Sequence, residues 1–142
     1  MFICNHCPFV IHLQEVIVHL AKQYQNQGIN FVAVSSNDAD SYPQDGPDKM
    51  KQLAREYGYE FPYLYDETQE VARAYGAVCT PDVFVFDGDL QSVYRGQIDD
   101  SRPGNGLPVT GADLGLILDA LLGEFAYPEA IKPSVGCSIK WK

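Results

Sequence analysis

Apolar residues recur along the chain with two distinct periods. From Pro8 to Gln27, Val10, Leu13, Ile17, Leu20, Ala21 and Tyr24 fall at steps of three and four, the spacing of one helical face. Pro8 suits the first helical turn, and Gly28 stands where a helix ends. Ile29 to Ser35 holds Phe31-Val32-Ala33-Val34, an unbroken apolar run that predicts a strand buried on both faces of a parallel sheet. Asn37 to Pro47, rich in Asp, Ser, Pro and Gly, predicts a loop. A second helix follows over Pro47 to Tyr57, a short strand over Phe61 to Tyr65, and a third helix over Glu67 to Tyr75. Asp82 to Phe86 reads as another buried strand. Asp87-Gly88-Asp89 is turn chemistry, and Leu90 to Gly96 returns as its antiparallel partner. A loop from Ile98 to Val109 leads to a last helix, capped by Thr110 with Asp113 at the capping-box position, whose buried stripe is Leu114, Ile117, Leu118 and Leu121. From Tyr127 onward no period is visible.

Alternation of strands and helices, closed by a hairpin, predicts an α/β layer architecture with a mixed sheet. Met1-Phe2-Ile3 lacks the charged and apolar regions of a signal peptide and reads as the end of a buried strand entered partway along. The expectation is therefore a domain lacking its leading strand or strands.

Composition narrows the function. The 142 residues suffice for one domain, and a net charge of −9 with scattered lysines and arginines offers no basic surface to nucleic acid. No apolar run is long enough to span a membrane. A cytoplasmic location is the corresponding expectation. Four cysteines are too few for a disulfide scaffold, so their spacing must be read as chemistry.

Cys4-Asn5-His6-Cys7 lies where a strand gives way to a helix. Unpaired N–H groups and the macrodipole at a helix start favour an anion, which predicts a stabilised Cys4 thiolate. On this reading Cys4 is the exposed attacking thiol and Cys7 the buried resolving one. A protonated His6 would favour the thiolate further, and a stabilised thiolate makes the disulfide more oxidising. Thr80-Pro81 stands immediately before a predicted buried strand, where proline deletes a ladder donor; a cis bond in a tight bend accounts for it.

A strand ending in CxxC, a helix opened by it, and Thr-Pro before a strand and hairpin resemble the thioredoxin fold over nearly the whole chain. The helix and strand between Asn37 and Tyr75 resemble the insertion of the redoxin branch, AhpC/TSA and TlpA-like proteins. Cys4-Asn5-His6-Cys7-Pro8, Tyr65-Asp66-Glu67-Thr68-Gln69, Cys79-Thr80-Pro81-Asp82 and the tail Gly136-Cys137-Ser138-Ile139-Lys140-Trp141-Lys142 resemble a bacterial group of thioredoxin family proteins. The resemblance implies a three-layer fold, a mixed central sheet flanked by helices, over residues 1–126, with residues 127–142 as a tail packed on it. It implies a thiol–disulfide oxidoreductase that needs no cofactor, acting on protein or small-molecule thiols and disulfides. Cys4 and Cys7 would be catalytic, and Thr80 and Pro81 would hold a substrate segment against Cys4. Asn5, His6, Pro8 and Cys79 would modulate the site.

Ile3 stands where thioredoxin has Trp, and Asn-His replaces Gly-Pro; a His before the second cysteine is similar to oxidising DsbA-like sites. The acid that assists the resolving cysteine in thioredoxin would lie upstream of Met1.

Other readings stay open. Cys79 reads as a buried small residue or as a third redox thiol exchanging with Cys4 or Cys7. Cys137 reads as part of a docked structural tail, pulled in by Ile139 and Trp141, or as a thiol able to pair with Cys79 or a partner. His12 and His19 read as exposed helix positions, Asp99, Asp100 and Arg102 as a solvated loop, and Asp87 and Asp89 as turn residues. A peroxiredoxin-like peroxidase is an alternative, although Met1 occupies the position three before Cys4 where such enzymes carry Thr. A copper-binding factor resembling Sco proteins would need a His beyond His19, and none follows. Structural zinc would draw on all four cysteines.

Overall fold

The computed structural model describes residues 1–142. Helix α1 spans Pro8–Gln25, and its predicted stripe of Val10, Leu13, Ile17, Leu20, Ala21 and Tyr24 is buried. It ends two residues before the predicted Gln27. Strand β1 (Ala33–Ser35) pairs in parallel with β2 (Tyr63–Tyr65). Between them lie a 3-10 turn at Pro43–Asp45 and α2 (Pro47–Tyr57). Helix α3 is shorter than predicted, Glu70–Tyr75, because Asp66 takes the N–H groups of Val71 and Ala72 and holds the preceding turn out of the helix. Strand β3 (Cys79–Thr80) precedes the hairpin of β4 (Val83–Phe86) and β5 (Ser92–Gly96). Helix α4 (Ala112–Leu121) and the short β6 (Cys137–Ser138) complete the chain.

Met1–Ile3 joins the two halves of the sheet. Phe2 exchanges both backbone bonds with Asp82, at 2.8 and 3.0 Å, just before β4. On its other side, Val34 of β1 receives Ile3 N–H at 3.0 Å and donates to Met1 O at 2.9 Å. The resulting order is β2, β1, Met1–Ile3, β4, β5, a mixed arrangement as the alternation predicted.

One face of this array is well covered and the other is not. Ile3, Ala33, Val83 and Val85 face α1 and α4 in the main core with Leu13, Ile17, Leu114 and Leu118. Burying each such aliphatic side chain contributes roughly 1.5–3 kcal/mol. On the opposite face Val32 is 42% exposed and Phe86 36%. Phe2, Tyr75 and Phe84 form edge-to-face pairs there, in and beside an apolar groove of about 280 Å³. The run Phe31–Val34 is therefore not buried on both faces: its residues alternate, because short α3 is too small to cover that side.

The loop after β5 is exposed at Asp100 and over residues 103–110, but its start is buried. Asp99 is buried, and its carboxylate accepts the N–H groups of Ser101, Thr110 and Gly111 at 2.7–2.9 Å. Gly111, with φ +67°, is the N-cap of α4, so Asp99 does the ordering that Thr110 and Asp113 were expected to do. Asp113 instead accepts from Gln97 and faces Lys132. Asp100 pairs with Lys132 at 2.6 Å, and Arg102 donates to the carbonyls of Asp99 and Ser101. His12 is part-buried and bonded to Ser101 Oγ at 2.6 Å, which ties α1 to this loop; His19 is exposed. Asp87 accepts the Asp89 and Gln91 N–H groups and shapes the hairpin turn.

Strand β6 docks antiparallel on β3, Thr80 opposite Cys137 and Cys79 opposite Ser138. The approach is close: a Cβ on Gly136 would stand 1.9 Å from Thr80 O. Ile139 beyond it is buried, whereas Trp141 stays 40% exposed with the Arg73 guanidinium 4.6 Å over its ring. Gly136→Ala is therefore expected to destabilise the protein by about 1–3 kcal/mol in urea unfolding. Gly88→Ala, where a Cβ meets nothing within 4 Å, should change stability by less than about 0.5 kcal/mol.

Candidate functional site

Three segments meet at the start of α1. Met1–Ile3 delivers Cys4 out of the sheet, Pro8 begins the helix, and Thr80-Pro81, a cis peptide, faces them from β3. Pro8 at the first helical position makes Cys7 the N-cap residue. Thr80 serves both sulfurs: its hydroxyl lies 3.5 Å from Cys4 Sγ, and its carbonyl accepts from Cys7 Sγ at 3.2 Å when Cys7 is protonated. Thr80 and Pro81 are buried, and Pro8 is exposed on the rim.

Both thiols lie beneath the surface. Cys4 is 2% exposed and Cys7 0%, so the expectation of an exposed Cys4 is corrected. Asn5 and His6, half-buried between them, are held by a residue that the sequence left inside an ordinary loop. Asp45, fully buried, accepts the backbone N–H groups of Asn5 and His6 at 2.8 and 3.1 Å through Oδ1. Its Oδ2 pairs with His6 Nδ1 and accepts from Asn37 Nδ2 at 2.9 Å. Asn5 also donates to Gln44 O and accepts from Tyr63 OH at 2.9 Å. The His6 ring stacks on Tyr42, 5° from parallel.

One thiol of the pair is drawn down and its partner is pushed up. The two sulfurs are neighbours and titrate as one pair. Cys7 is lowered to about 4, chiefly by the bond from Cys4, with further help from Cys137, the Thr80 hydroxyl and the Val10 N–H. Cys4 is pushed up, first by that same bond and then by burial, with the Asp45 carboxylate adding to the rise. The helix start acts on its cap residue, and the helix starts at Pro8.

Cys79 and Cys137 occupy different sides. Thr80 directs its side chain at Cys4, so strand alternation turns Cys79 to the other face, where its sulfur lies 3.8 Å from Pro81 O. Burial raises its thiol to about 11. Cys137, opposite Thr80 in the ladder, packs against the core cluster that contains Cys4 and Cys7. The edge of Thr80 expected to hold a substrate segment is thus paired with the protein's own tail. Asp82, buried behind Pro81, accepts from Arg95 at 3.0 Å and from Ser134 at 2.7 Å, which anchors the start of that tail.

Cys4, His6 and Asp45 bring metal-type donor atoms within 4.8 Å of one another. Four protein donors already engage the Asp45 carboxylate, so a cation would have to displace some of them. The four cysteine sulfurs do not converge into one donor set. The apolar groove has no cysteine in its lining.

A model of the AhpC/TSA family matches residues 1–93. Two solved structures have the same fold, each with a TM-score of 0.97. One, described as an uncharacterized conserved protein from Geobacillus kaustophilus, is 63% identical over 100% of this chain and 75% of its own. The other, a hypothetical protein from Sinorhizobium meliloti 1021, is 48% identical over 99% of this chain and 77% of its own. No curated protein matches. No helix is long and apolar enough to cross a membrane.

Two outcomes are expected from this geometry. Asp45→Asn keeps the shape but turns an amide against four donors, and should cost about 1–3 kcal/mol in urea unfolding. In the reduced protein, thiolate absorbance near 240 nm should persist on acidification until about pH 4 and shift to higher pH in Cys4→Ser. Between pH 4 and the ordinary thiol range near about 8.5, the folded pair holds one proton fewer than the unfolded pair. Stability of the reduced protein, relative to the double serine variant, should therefore rise with pH across that window. It should fall above it, where folded Cys4 keeps a proton that the unfolded chain loses.

Proposed function

The chain belongs to the AhpC/TSA family, and from that premise we propose that it is a thiol–disulfide oxidoreductase working through the Cys4–Cys7 couple. The family places it among redox proteins, oxidoreductases and peroxidases. The observation that carries the finer reading is the pair of buried sulfurs, both in contact with Thr80, at the head of α1 against a cis-proline loop.

Cys4 attacks one sulfur of a substrate disulfide. As the Cys4–substrate bond forms, its proton passes to Cys7, and the substrate's other sulfur leaves as thiolate. Cys7 gives that proton to the departed thiolate and attacks Cys4; the Cys4–Cys7 bond forms, the Cys4–substrate bond breaks, and the second substrate sulfur leaves as thiolate. The substrate gains two electrons and the pair loses two; the reverse sequence oxidises a dithiol. A thiol lowered to about 4 favours the reduced form of the pair, hence a disulfide that is readily given away. Cys4 is buried, so a substrate reaches the sulfur only as its surroundings yield.

Peroxide reduction is the second reading, favoured by the family match itself. Insulin-disulfide reduction and dithiol oxidation, followed beside hydrogen peroxide consumption, separate the two. Cys4→Ser is expected to abolish disulfide exchange, and Cys7→Ser to accumulate a mixed disulfide on Cys4 seen by mass spectrometry. An unchanged exchange rate in Cys4→Ser would sink the reading, and peroxide turnover without exchange would transfer it to the peroxidase.

A further inference from the structure

We propose that Cys137 is a third redox thiol: it attacks Cys7 in the oxidised pair, forms a Cys7–Cys137 disulfide and frees Cys4. The inference rests on the dithiol reading above and extends it to the tail.

The geometry comes from Thr80. Its carbonyl lies 3.2 Å from Cys7 Sγ, and its ladder partner across β3 and β6 is Cys137. Ladder partners in antiparallel strands stand about 4.5–5.5 Å apart, so Cys137 is one strand spacing from the group that touches Cys7. The fit of Gly136 against Thr80 O and Pro81 N fixes that register, since a slip would bring a side chain into the space where only hydrogen fits. Cys137 also packs, half-buried, against the core cluster that contains Cys7, and the neighbouring Cys7 adds to the rise of its thiol. Two sulfurs far apart in the sequence thus flank one residue, Thr80. Cys79, turned to the other face, does not join them.

The redox state of the pair controls the third thiol. With Cys7 anionic, Cys137 is raised to about 11 by burial, by the bond it donates to Cys7 and by the Cys7 charge. Once Cys4 and Cys7 form a disulfide, the last two causes vanish, and the thiol that had been a donor becomes an easier thiolate beside an electrophilic sulfur. Its attack forms the Cys7–Cys137 bond and breaks Cys4–Cys7. Cys4 leaves as thiolate and takes up a proton equivalent to the one Cys137 lost. No electrons enter or leave; the oxidising equivalent moves from the core pair to the tail strand, and Cys4 is again available.

The test uses full-length Cys4→Ser protein oxidised with diamide at pH 8, alkylated with iodoacetamide, digested and mapped by mass spectrometry. The expected product is a Cys7–Cys137 linkage, with Cys79 alkylated. Recovery of Cys7 and Cys137 both alkylated, or of Cys7 joined to Cys79, overturns the proposal. Wild-type protein oxidised in parallel reports separately on the parent reading: absence of any Cys4–Cys7 linkage defeats that reading whatever the tail does. A second arm needs no Cys4 variant. Oxidised wild-type protein, incubated without reductant, should yield molecules alkylated at Cys4 and linked Cys7–Cys137, and Cys137→Ser should yield none. Equal Cys4 alkylation in both proteins overturns the relay even if Cys4→Ser fails to fold.

Discussion

The backbone bonds of three residues hold the molecule's chemistry in place. Phe2 is bonded on one side to Asp82, and its neighbours Met1 and Ile3 are bonded on the other to Val34. Buried peptide groups must find partners, and here they find them on both flanks of one short segment. That wedge sets where Cys4 leaves the sheet and, four residues later, where α1 begins. It also fixes Asp82, hence Pro81 and Thr80, at a set distance from the thiols. The hydroxyl and carbonyl of Thr80 can reach Cys4 and Cys7 because the chain before Cys4 and the chain after Pro81 are the two halves of one bridge.

The acidic character of the protein takes on a different meaning inside the fold. Asp45, Asp66, Asp82 and Asp99 are all buried, and each acts chiefly as an acceptor for several N–H or O–H groups. Asp45 pins the dipeptide between the cysteines, Asp66 opens α3, Asp82 holds Arg95 and Ser134, and Asp99 orders the approach to α4. Hydrogen bonds to charged groups are worth about 1.5–3 kcal/mol each, so these four carboxylates are structural fasteners as much as charges.

Local patterns explain which of these features were legible in the sequence. The stripe of α1, the hairpin, the CxxC at a strand–helix junction and the Thr80-Pro81 step depend on residues near one another along the chain. Asp45 does not: among Asp38, Asp40 and Asp45, nothing local marks the one that turns inward to residues 5 and 6. The same holds for Asp99, which looked like part of a solvated loop, and for the alternation of Phe31–Val34, decided by how little α3 covers. Pro8 already marked Cys7 as the helix cap, but the burial of both thiols needed the fold.

Gly136 and Cys137 reach the site from the far end of the polypeptide, and synthesis runs from the near end. Cys4 and Cys7 leave the ribosome about 130 residues before Cys137. At 5–20 residues per second that is an interval on the order of ten seconds. For about the first half of it Thr80 has not been made, and through all of it the tail strand is absent. The reactive pair is thus made first and enclosed last, and the environment in which the chain is translated has the first opportunity to set its oxidation state.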